Sequence, residues 1–389
     1  MPMAERAAAV EALRLTRVTH RVGEVTAVDD LSLTVQDGEF VTLLGPSGCG
    51  KSTTLRIIAG YSRPQHGEVH LRGRAVTHLP PQRRDIGMVF QNYALFPHLN
   101  VARNVGFALT VRRREGAAIA RRVDEMLRLV QLEGFGQRMP SQLSGGQQQR
   151  IALARVLAFG PELLLLDEPL SALDLKLRED MQGEIKRIQR TLGITTVYVT
   201  HDQGEALHLS DRIAVMRAGR IEQIGTPDAI YRHPASRFVA SFLGKMQFLP
   251  AQVVGNADGK HVVRLNGHDA LLSCNASRPM SAGERCVVGI RPEKVRVNEP
   301  EAVASDKWSV AGRIEDRHYL GAHAQLAVAT ALGAPLIAFD HGDRLHAGRN
   351  VRVTWDEADV TVFPDDSQGE ASVPHRAPAA HLTPTLEAK

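Results

Sequence analysis

One stretch near residue 50 has the residue types and spacing to hold phosphate. Residues 45–53 read G-P-S-G-C-G-K-S-T, with an apolar run at 40–44 before them and a helical pattern after them. The loop therefore precedes a helix N-terminus, where unpaired N–H groups favour an anion. We predict a P-loop; the alternative is a glycine-rich turn without a ligand. The predicted ligand contacts are Gly45, Pro46, Ser47, Gly48, Cys49, Gly50, Lys51, Ser52 and Thr53.

The glycines, the lysine and the serine of this loop are each suited to a different part of a triphosphate and its metal ion. Its glycines let the backbone approach a phosphate where a Cβ would clash. Lys51 brings a mobile charge to the β and γ oxygens, and the Ser52 hydroxyl is suited to Mg²⁺. The loop therefore predicts binding of a nucleoside triphosphate with magnesium.

Ionisable residues follow two later apolar runs. Residues 163–169 read L-L-L-L-D-E-P, a buried strand ending in Asp167 and Glu168, and the run 195–200 ends before His201. In a parallel sheet these strand ends face the P-loop. Asp167 can then hold Mg²⁺, Glu168 can take a proton from attacking water, and His201 can contact a γ-phosphate. Alternatively, Asp-Glu-Pro is a common loop start, and a histidine after a strand is usually structural.

A second helix start also suits an anion. Ser144, Gly145, Gly146 and Gln147 precede a run of strong helix formers at 148–158. Ser144 lies near the predicted N-cap, and the glycine pair leaves N–H groups uncovered at the positive end of the helix. These residues alone favour a capped turn. Two anion sites in one chain nevertheless need an explanation.

The apolar runs predict a two-part architecture. Strand patterns at 13–18, 31–35, 67–71 and 86–90 surround the P-loop, and residues 92–140 are helical in character, which predicts a helical insertion. From about residue 244 short alternating strands separated by turns predict a small β-barrel. The segment 364–389, rich in Pro, Ala and Ser, predicts a disordered tail.

Composition limits the class of protein. The 389 residues suit roughly two domains, with 43% hydrophobic and 23% charged residues. No run approaches the roughly 18 apolar residues of a membrane span, and the first ten residues lack a signal-peptide core. Three cysteines predict no disulfide framework. We therefore expect a cytoplasmic protein. The net charge of +4 permits nucleic acid or an anionic membrane surface as partner, but more often reflects a solvated face.

Motif by motif, the chain resembles the ATP-binding subunit of an ABC transporter. The matching elements, from 13 to about 240, are the P-loop, Gln91, 143–147, 163–169, 171–174 and His201. The resemblance implies an α/β P-loop NTPase of ABC type over 1–243, with a helical subdomain inserted at about 92–142. A small all-β OB-like barrel over 244–363 follows it.

The same resemblance implies the composition of the site. ATP and Mg²⁺ are the expected cofactors, and two copies would form a head-to-tail dimer around ATP. The segment Ser144–Gln147 would then contact the γ-phosphate bound by the other copy, and Asp174 belongs to the nucleotide-contacting set. Gln91 would sense Mg²⁺ and the attacking water, beside Ser52 and Asp167 at the metal. Glu168 would act as base, and His201 would stabilise the transition state.

Two further segments resemble the importer subgroup. Residues 89–98 look like the loop that receives a helix from the membrane subunit, and 289–293 and 319–321 look like a transport-associated OB domain. This implies an ATPase on the inner face of the membrane, working with two permease subunits and an extracytoplasmic solute-binding protein. The expected solute is a polyamine, with iron, phosphonate, sulfate or sugar as alternatives. The alternative of a different class is a non-transport ABC ATPase acting on nucleic acid; without an interleaved aromatic and basic stripe, no nucleic acid is expected.

Two residues depart from the family pattern. Near the domain junction, Gln247 stands where relatives often show Asn, which puts that junction contact in doubt. Where relatives commonly stack an aromatic ring on adenine, just before the glycine matching Gly23, this chain has Val22. Valine offers apolar contact without a π face, so we expect weaker binding and poor discrimination between ATP and GTP. Alternatively, His20 supplies the ring.

Overall fold

The computed structural model describes residues 10–257, 259–269, 271–300, 308–342 and 345–365. The chain divides into two compact units, one ending at Gly244 and the other beginning at Lys245. The first contains strands and helices, and the second is almost entirely β. Of the predicted tail at 364–389, residues 366–389 lie outside the described part of the chain.

The first unit alternates strands and helices in chain order. Its strands are β1 (Glu11–Val22), β2 (Val25–Gln36), β3 (Phe40–Leu44), β4 (His66–Leu71), β5 (Arg74–Ala75), β6 (Ile86–Val89), β7 (Leu163–Asp167), β8 (Thr195–Thr200), β9 (Arg212–Arg217) and β10 (Arg220–Gly225). Its helices are α1 (Lys51–Ala59), α2 (Val101–Val111), α3 (Gly116–Leu129), α4 (Gly145–Leu157), α5 (Leu175–Leu192), α6 (Gln203–Leu209), α7 (Pro227–Arg232) and α8 (Arg237–Phe242). No helix within the described residues is long and apolar enough to cross a membrane.

Two sheets organise these strands. The order β2-β1-β4-β5 forms an antiparallel sheet, and the order β10-β9-β3-β8-β7-β6 forms a second sheet whose strands are parallel except at the β9–β10 pair. Strands β3 and β8 are buried at every position, as expected for parallel strands covered on both faces. The carboxyl ends of β3, β8 and β7 therefore meet at one edge. The predicted α/β P-loop fold is confirmed.

The predicted helical block begins later than its composition indicated. Residues 91–100, here called the Gln91 loop, are irregular, and the first helix starts at Val101 with Asn100 as its cap. The buried amide of Asn104 explains the difference. It accepts a hydrogen bond from the Phe96 N–H (2.9 Å) and donates to the carbonyl oxygens of Phe96 (3.1 Å) and Leu99 (2.8 Å). These contacts satisfy backbone groups that a helix would otherwise pair.

A buried arginine fixes the end of the P-loop helix. Arg84 is 1% exposed, and its guanidinium donates to the carbonyl oxygens of Ile57 and Ile58 (2.8 Å each), Leu79 (2.8 Å) and Thr77 (3.2 Å). The last carbonyls of a helix lack partners within the helix, and a cation there is favoured by the helix dipole. Arg84 thus ties α1 to the segment that leads into β6.

The second unit contains more strands than the pattern predicted. The strands are β11 (Gln247–Ala257), β12 (Lys260–Leu265), β13 (Leu271–Ala276), β14 (Arg285–Ile290), β15 (Arg296–Asn298), β16 (Trp308–Tyr319), β17 (Ala324–Thr330), β18 (Leu336–Asp340), β19 (Asn350–Trp355) and β20 (Val360–Pro364). Strands β11-β12-β13-β20-β14 close into a barrel, which confirms the OB-like prediction. A five-stranded sheet, β15-β19-β16-β17-β18, is an addition that the alternating pattern beyond residue 244 did not distinguish from the barrel.

Candidate active site

The glycines of the P-loop are required for two different reasons. A Cβ on Gly45 would lie 2.4 Å from the Met216 carbonyl oxygen, and one on Gly50 would lie 2.2 Å from the Ala27 carbonyl oxygen. Gly48 has open space around it, but its φ of +78° lies in the left-handed region that favours glycine. The loop is therefore pressed against β9 and β2 at its two ends.

The remaining P-loop residues surround a cationic centre. Lys51 is 5% exposed, and its ammonium donates to the carbonyl oxygens of Gly45 (2.7 Å) and Pro46 (2.9 Å). Burial raises the pKa of the Cys49 thiol, whereas Ser47 is exposed at the loop apex and Thr53 is half-buried in the first turn of α1. Within the described chain, α1 has neither an acidic residue in its first turn nor a side-chain cap. A buried lysine and an uncapped helix start suit a polyphosphate.

Of the three metal-ligating residues proposed from sequence, Ser52 and Asp167 are in direct contact. The Ser52 hydroxyl donates to Asp167 Oδ1 at 2.9 Å, so the P-loop helix and the end of β7 are in direct contact. Burial raises the pKa of Asp167, and Glu168 raises it further, whereas Ser52, Arg56 and Lys51 lower it. A hydroxyl and a carboxylate are hard oxygen ligands of the kind that Mg²⁺ prefers. The pair fits the expected magnesium.

Glu168 has a strained backbone, and its carboxylate lies beside His201. Its φ is +46°, unusual for a residue other than glycine, and its N–H donates to the Val199 carbonyl oxygen at 3.0 Å. Its carboxylate Oε1 lies 3.2 Å from Nδ1 of His201, which follows the adjacent strand β8. Strain of this kind is concentrated at functional sites. The parallel register thus brings the acid and the histidine together, and both lie at the edge where Asp167 ends β7.

Gln91 reaches this cluster through a residue that sequence reasoning assigned no role of its own. The Gln91 amide donates to the Ser171 hydroxyl at 3.1 Å, and that hydroxyl donates to the Glu168 carbonyl oxygen at 2.9 Å. Ser171 therefore links the Gln91 loop to the backbone of the acidic segment. Its only signal was its place in the 171–174 motif.

The sequence did not predict a buried polar network that lies next to His201 in the chain. Glu205 is 3% exposed, and its Oε2 accepts hydrogen bonds from Tyr198 (2.7 Å) and Thr200 (2.6 Å). Burial raises the pKa values of both Glu205 and Tyr198. Asp202 caps α6 by accepting from the Glu205 N–H at 3.0 Å. Each member carries a partner, so the network fixes the turn that presents His201.

The second predicted anion site is not joined to the first within one chain. Ser144 caps α4, its N–H donating to Gln147 Oε1 at 3.1 Å and its Oγ accepting from the Gln147 N–H at 3.4 Å. Gly146 packs closely against α5, because a Cβ there would lie 2.9 Å from the end of the Leu177 side chain. Asp174 caps α5 through the Leu177 N–H at 3.0 Å. Within the described residues, no hydrogen bond links Ser144–Gln147 to residues 45–53.

Val22 lies at an aliphatic hairpin tip. It pairs with Val25 across the turn at Gly23 and Glu24, and the two valines are 59% and 68% exposed. His20 is half-buried two residues earlier, and its Nδ1 is buried without a hydrogen-bond partner. The β1–β2 register shifts between His20 and Arg21, so the tip is locally irregular. An exposed aliphatic pair thus occupies the place where an aromatic ring was expected.

Comparison with family models gives two matches. Residues 28–171 match the ABC transporter family, and residues 288–363 match the TOBE domain. The first covers the P-loop, the Gln91 loop, residues 144–147, here called the signature segment, and the acidic strand β7. The second covers most of the β unit.

Similar curated proteins extend over nearly the whole chain. The spermidine/putrescine import ATP-binding protein PotA of Rubrobacter xylanophilus is 50% identical over 354 residues, covering 89% of this chain and 92% of that protein. The PotA protein of Nitratidesulfovibrio vulgaris is 45% identical over 366 residues, covering 92% and 98%.

Two solved structures resemble the first unit. The dimeric post-hydrolysis ATP-binding cassette MJ0796, bound to ADP and Pi, has a TM-score of 0.50 and 38% identity, covering 55% of this chain and 98% of that one. CbiO1 of Clostridium perfringens has a TM-score of 0.54 and 28% identity, covering 57% and 91%.

Glu168→Gln is expected to stop hydrolysis while leaving ATP binding intact. The variant keeps the backbone hydrogen bonds to Val199 and Ser171. Its side-chain amide, however, cannot accept a proton from water. Loss of a positioned base lowers turnover by about 10²- to 10⁴-fold. Turnover of [γ-³²P]ATP and equilibrium ATP binding measure the two effects. Glu162→Gln, an exposed residue at the opposite end of β7, is the matched control. Near wild-type turnover in Glu168→Gln would assign the base elsewhere.

Val22→Tyr is expected to tighten ATP binding. Stacking of a base on a ring contributes about 1–3 kcal/mol, or roughly 5- to 150-fold in affinity. Titrations of ATP and GTP test this, with Val22→Leu as the control that adds aliphatic area without a ring. We expect wild type to distinguish the two nucleotides poorly and His20→Ala to have no effect. A loss of affinity confined to His20→Ala would show instead that the histidine supplies the ring.

Proposed function

The chain belongs to the family of ATP-binding proteins of ABC importers and is an ABC-type ATPase, and on this premise we propose that it acts as a homodimer that drives polyamine import. The observation that carries the solute assignment is the 45–50% identity to PotA proteins across both units. In this proposal other subunits bind the solute, so the choice of polyamines over iron, phosphonate, sulfate or sugar rests on the relatives.

Two copies are proposed because each chain carries two separated anion-binding helix starts. In the proposed arrangement, residues 45–53 hold the phosphates of ATP, and Ser52, Gln91 and Asp167 hold Mg²⁺. Glu168 is the base and His201 stabilises the transition state, consistent with their 3.2 Å separation. The Ser144–Gln147 segment and Asp174 of the second copy complete the site. The dimeric relative with ADP and Pi supports this arrangement.

The domain boundaries follow the same proposal. Residues 1–243 form the catalytic cassette, with a helical insertion at about 92–142, and residues 244–363 form an accessory β domain that aids dimerisation or regulation. We propose that the protein lies at the cytoplasmic face of the membrane, with two permease subunits and an extracytoplasmic solute-binding protein as partners. No nucleic acid is required for this activity.

The surface that we propose for the permease is an apolar groove of about 660 Å³. This docking groove is lined by Tyr61, Met88, Phe107, Val111 and Phe159, among other residues. Tyr61 and Val111 are 57% and 66% exposed, which is unusual for large apolar side chains. An amphipathic cytoplasmic helix of a permease is the occupant that matches such a groove.

Phe96, in the loop expected from sequence to receive that helix, has an internal role. The centroids of the Phe96 and Phe107 rings are 4.5 Å apart. The central carbon of the Arg155 guanidinium lies 5.2 Å from the Phe96 centroid. A charge at Phe96 would therefore disturb packing as well as docking. Val111 is the sharper target, because its side chain is exposed.

Reconstitution with the permease subunits and binding protein tests the proposal. We expect spermidine or putrescine to stimulate ATP hydrolysis in proteoliposomes, whereas sulfate, iron, phosphonate and sugar do not. Val111→Asp is expected to lower co-purification with the permeases by at least about 10-fold, since a buried unpaired carboxylate costs several kcal/mol. Basal ATPase of the isolated chain should remain unchanged.

Leu192→Asp, which places the same charge on an exposed apolar residue outside the groove, is the control. If another solute stimulated hydrolysis while Val111→Asp still lowered co-purification with the permeases, only the polyamine assignment would be overturned. Normal co-purification of Val111→Asp would overturn the docking groove alone.

A further inference from the structure

The Gln91 loop contains an unusual backbone feature. Tyr93 and Ala94 have φ values of +58° and +46°. Elsewhere in the described residues, no two consecutive residues other than glycine both have positive φ. A left-handed conformation costs a residue with a Cβ roughly 1–2 kcal/mol, about 5- to 30-fold in population. Some contact must therefore hold this pair in place.

Arg155 of α4 makes that contact. Its guanidinium donates to the Ala94 carbonyl oxygen at 2.7 Å and to the Tyr93 carbonyl oxygen at 3.1 Å. Arginine is suited to this task because its planar fork can bind two acceptors at once. The guanidinium also lies over the Phe96 ring. Asn104 holds the following part of the loop by its bonds to Phe96 and Leu99.

The held pair lies between two parts of the proposed catalytic machinery. Gln91, two residues before Tyr93, contacts Ser171 and through it the backbone of Glu168. Arg155 lies ten residues after Gly145, so about 15 Å of rigid helix separates it from the signature segment at the start of α4. One helix thus presents the signature at its N-terminus and holds the Gln91 loop near its C-terminus.

We propose that Arg155 is a positioning residue that holds Tyr93 and Ala94 in the left-handed conformation and thereby sets Gln91 for hydrolysis. Because the same helix carries Ser144–Gln147, movement of the signature segment is transmitted to the Gln91 loop of its own chain. This inference rests on the role proposed above for Gln91 in the ATPase reaction. It adds a residue that no sequence motif assigned to the site.

A double-mutant cycle tests the proposal. Arg155→Ala is expected to lower kcat for ATP hydrolysis by about 10-fold, within the range of the left-handed penalty, with KM for ATP changed less than about 2-fold. Glycine adopts the left-handed region without that penalty. Ala94→Gly should therefore have little effect alone but restore about 5-fold of the rate lost in Arg155→Ala. Ala94 is exposed, so its replacement leaves no cavity.

Arg122→Ala is the matched control. The Arg122 guanidinium also donates to two backbone carbonyls at the same end of α4, those of Ala158 (3.0 Å) and Leu157 (3.1 Å), and within the described residues it has no hydrogen bond to the Gln91 loop. Any loss of rate in Arg122→Ala should not be restored by Ala94→Gly. If Arg155→Ala does not fold, Arg155→Lys, which keeps the charge but not the fork, enters the same cycle with a smaller effect.

Hydrogen exchange separates this inference from the role of Gln91. Amides of residues 93–96 should exchange faster in Arg155→Ala than in wild type, and Ala94→Gly in that background should slow them again. If Gln91→Ala turns over ATP normally, Gln91 has no catalytic role. The exchange result still tests whether Arg155 holds the loop. The proposal would be overturned if Ala94→Gly did not restore the rate lost in Arg155→Ala and if the amides of residues 93–96 exchanged as in wild type.

Discussion

The hydrogen bond between Ser52 and Asp167 is the contact on which the rest of the site depends. It joins the first turn of the P-loop helix to the end of β7 at 2.9 Å, across the intervening strand β8. The parallel register of β3, β8 and β7 places the two residues at the same edge of the sheet. The sheet therefore fixes where the phosphate loop, the metal ligand, the acid and the histidine lie, and none of them can shift far without disrupting a buried strand.

Three of the residues with a strained backbone lie around this edge. Glu168, Tyr93 and Ala94 have left-handed conformations without being glycine, and each is held by hydrogen bonds from a neighbouring element. Strained residues persist only where their surroundings over-determine them. The sheet provides that support for Glu168 through Val199 of β8, whereas the Gln91 loop depends on contacts from α4 and α2. The loop is thus the part of the site most sensitive to movement of the helices.

Sequence reasoning was strongest where one local pattern determines both structure and chemistry. The P-loop, the buried acidic strand and the barrel of the second unit were predicted because glycine spacing and apolar runs are local signals. Ser171, Arg155 and Asn104 were not predicted to act at the site, since their partners lie 3 to 80 residues away in sequence and are mostly backbone atoms that leave no motif. The late start of the helical insertion has the same origin. A side chain bonded to distant backbone overrides local propensity.

In the proposed dimer each ATP site combines the P-loop of one copy with the signature segment of the other, and mixed dimers distinguish this arrangement from a site built within one chain. Lys51→Ala and Ser144→Arg chains, each inactive alone, should form heterodimers with one intact site and regain part of the ATPase rate. A dimer of wild type with the Lys51→Ala, Ser144→Arg double variant should have no intact site and stay inactive. The reverse pattern, an inactive first dimer and an active second one, would contradict sharing between copies.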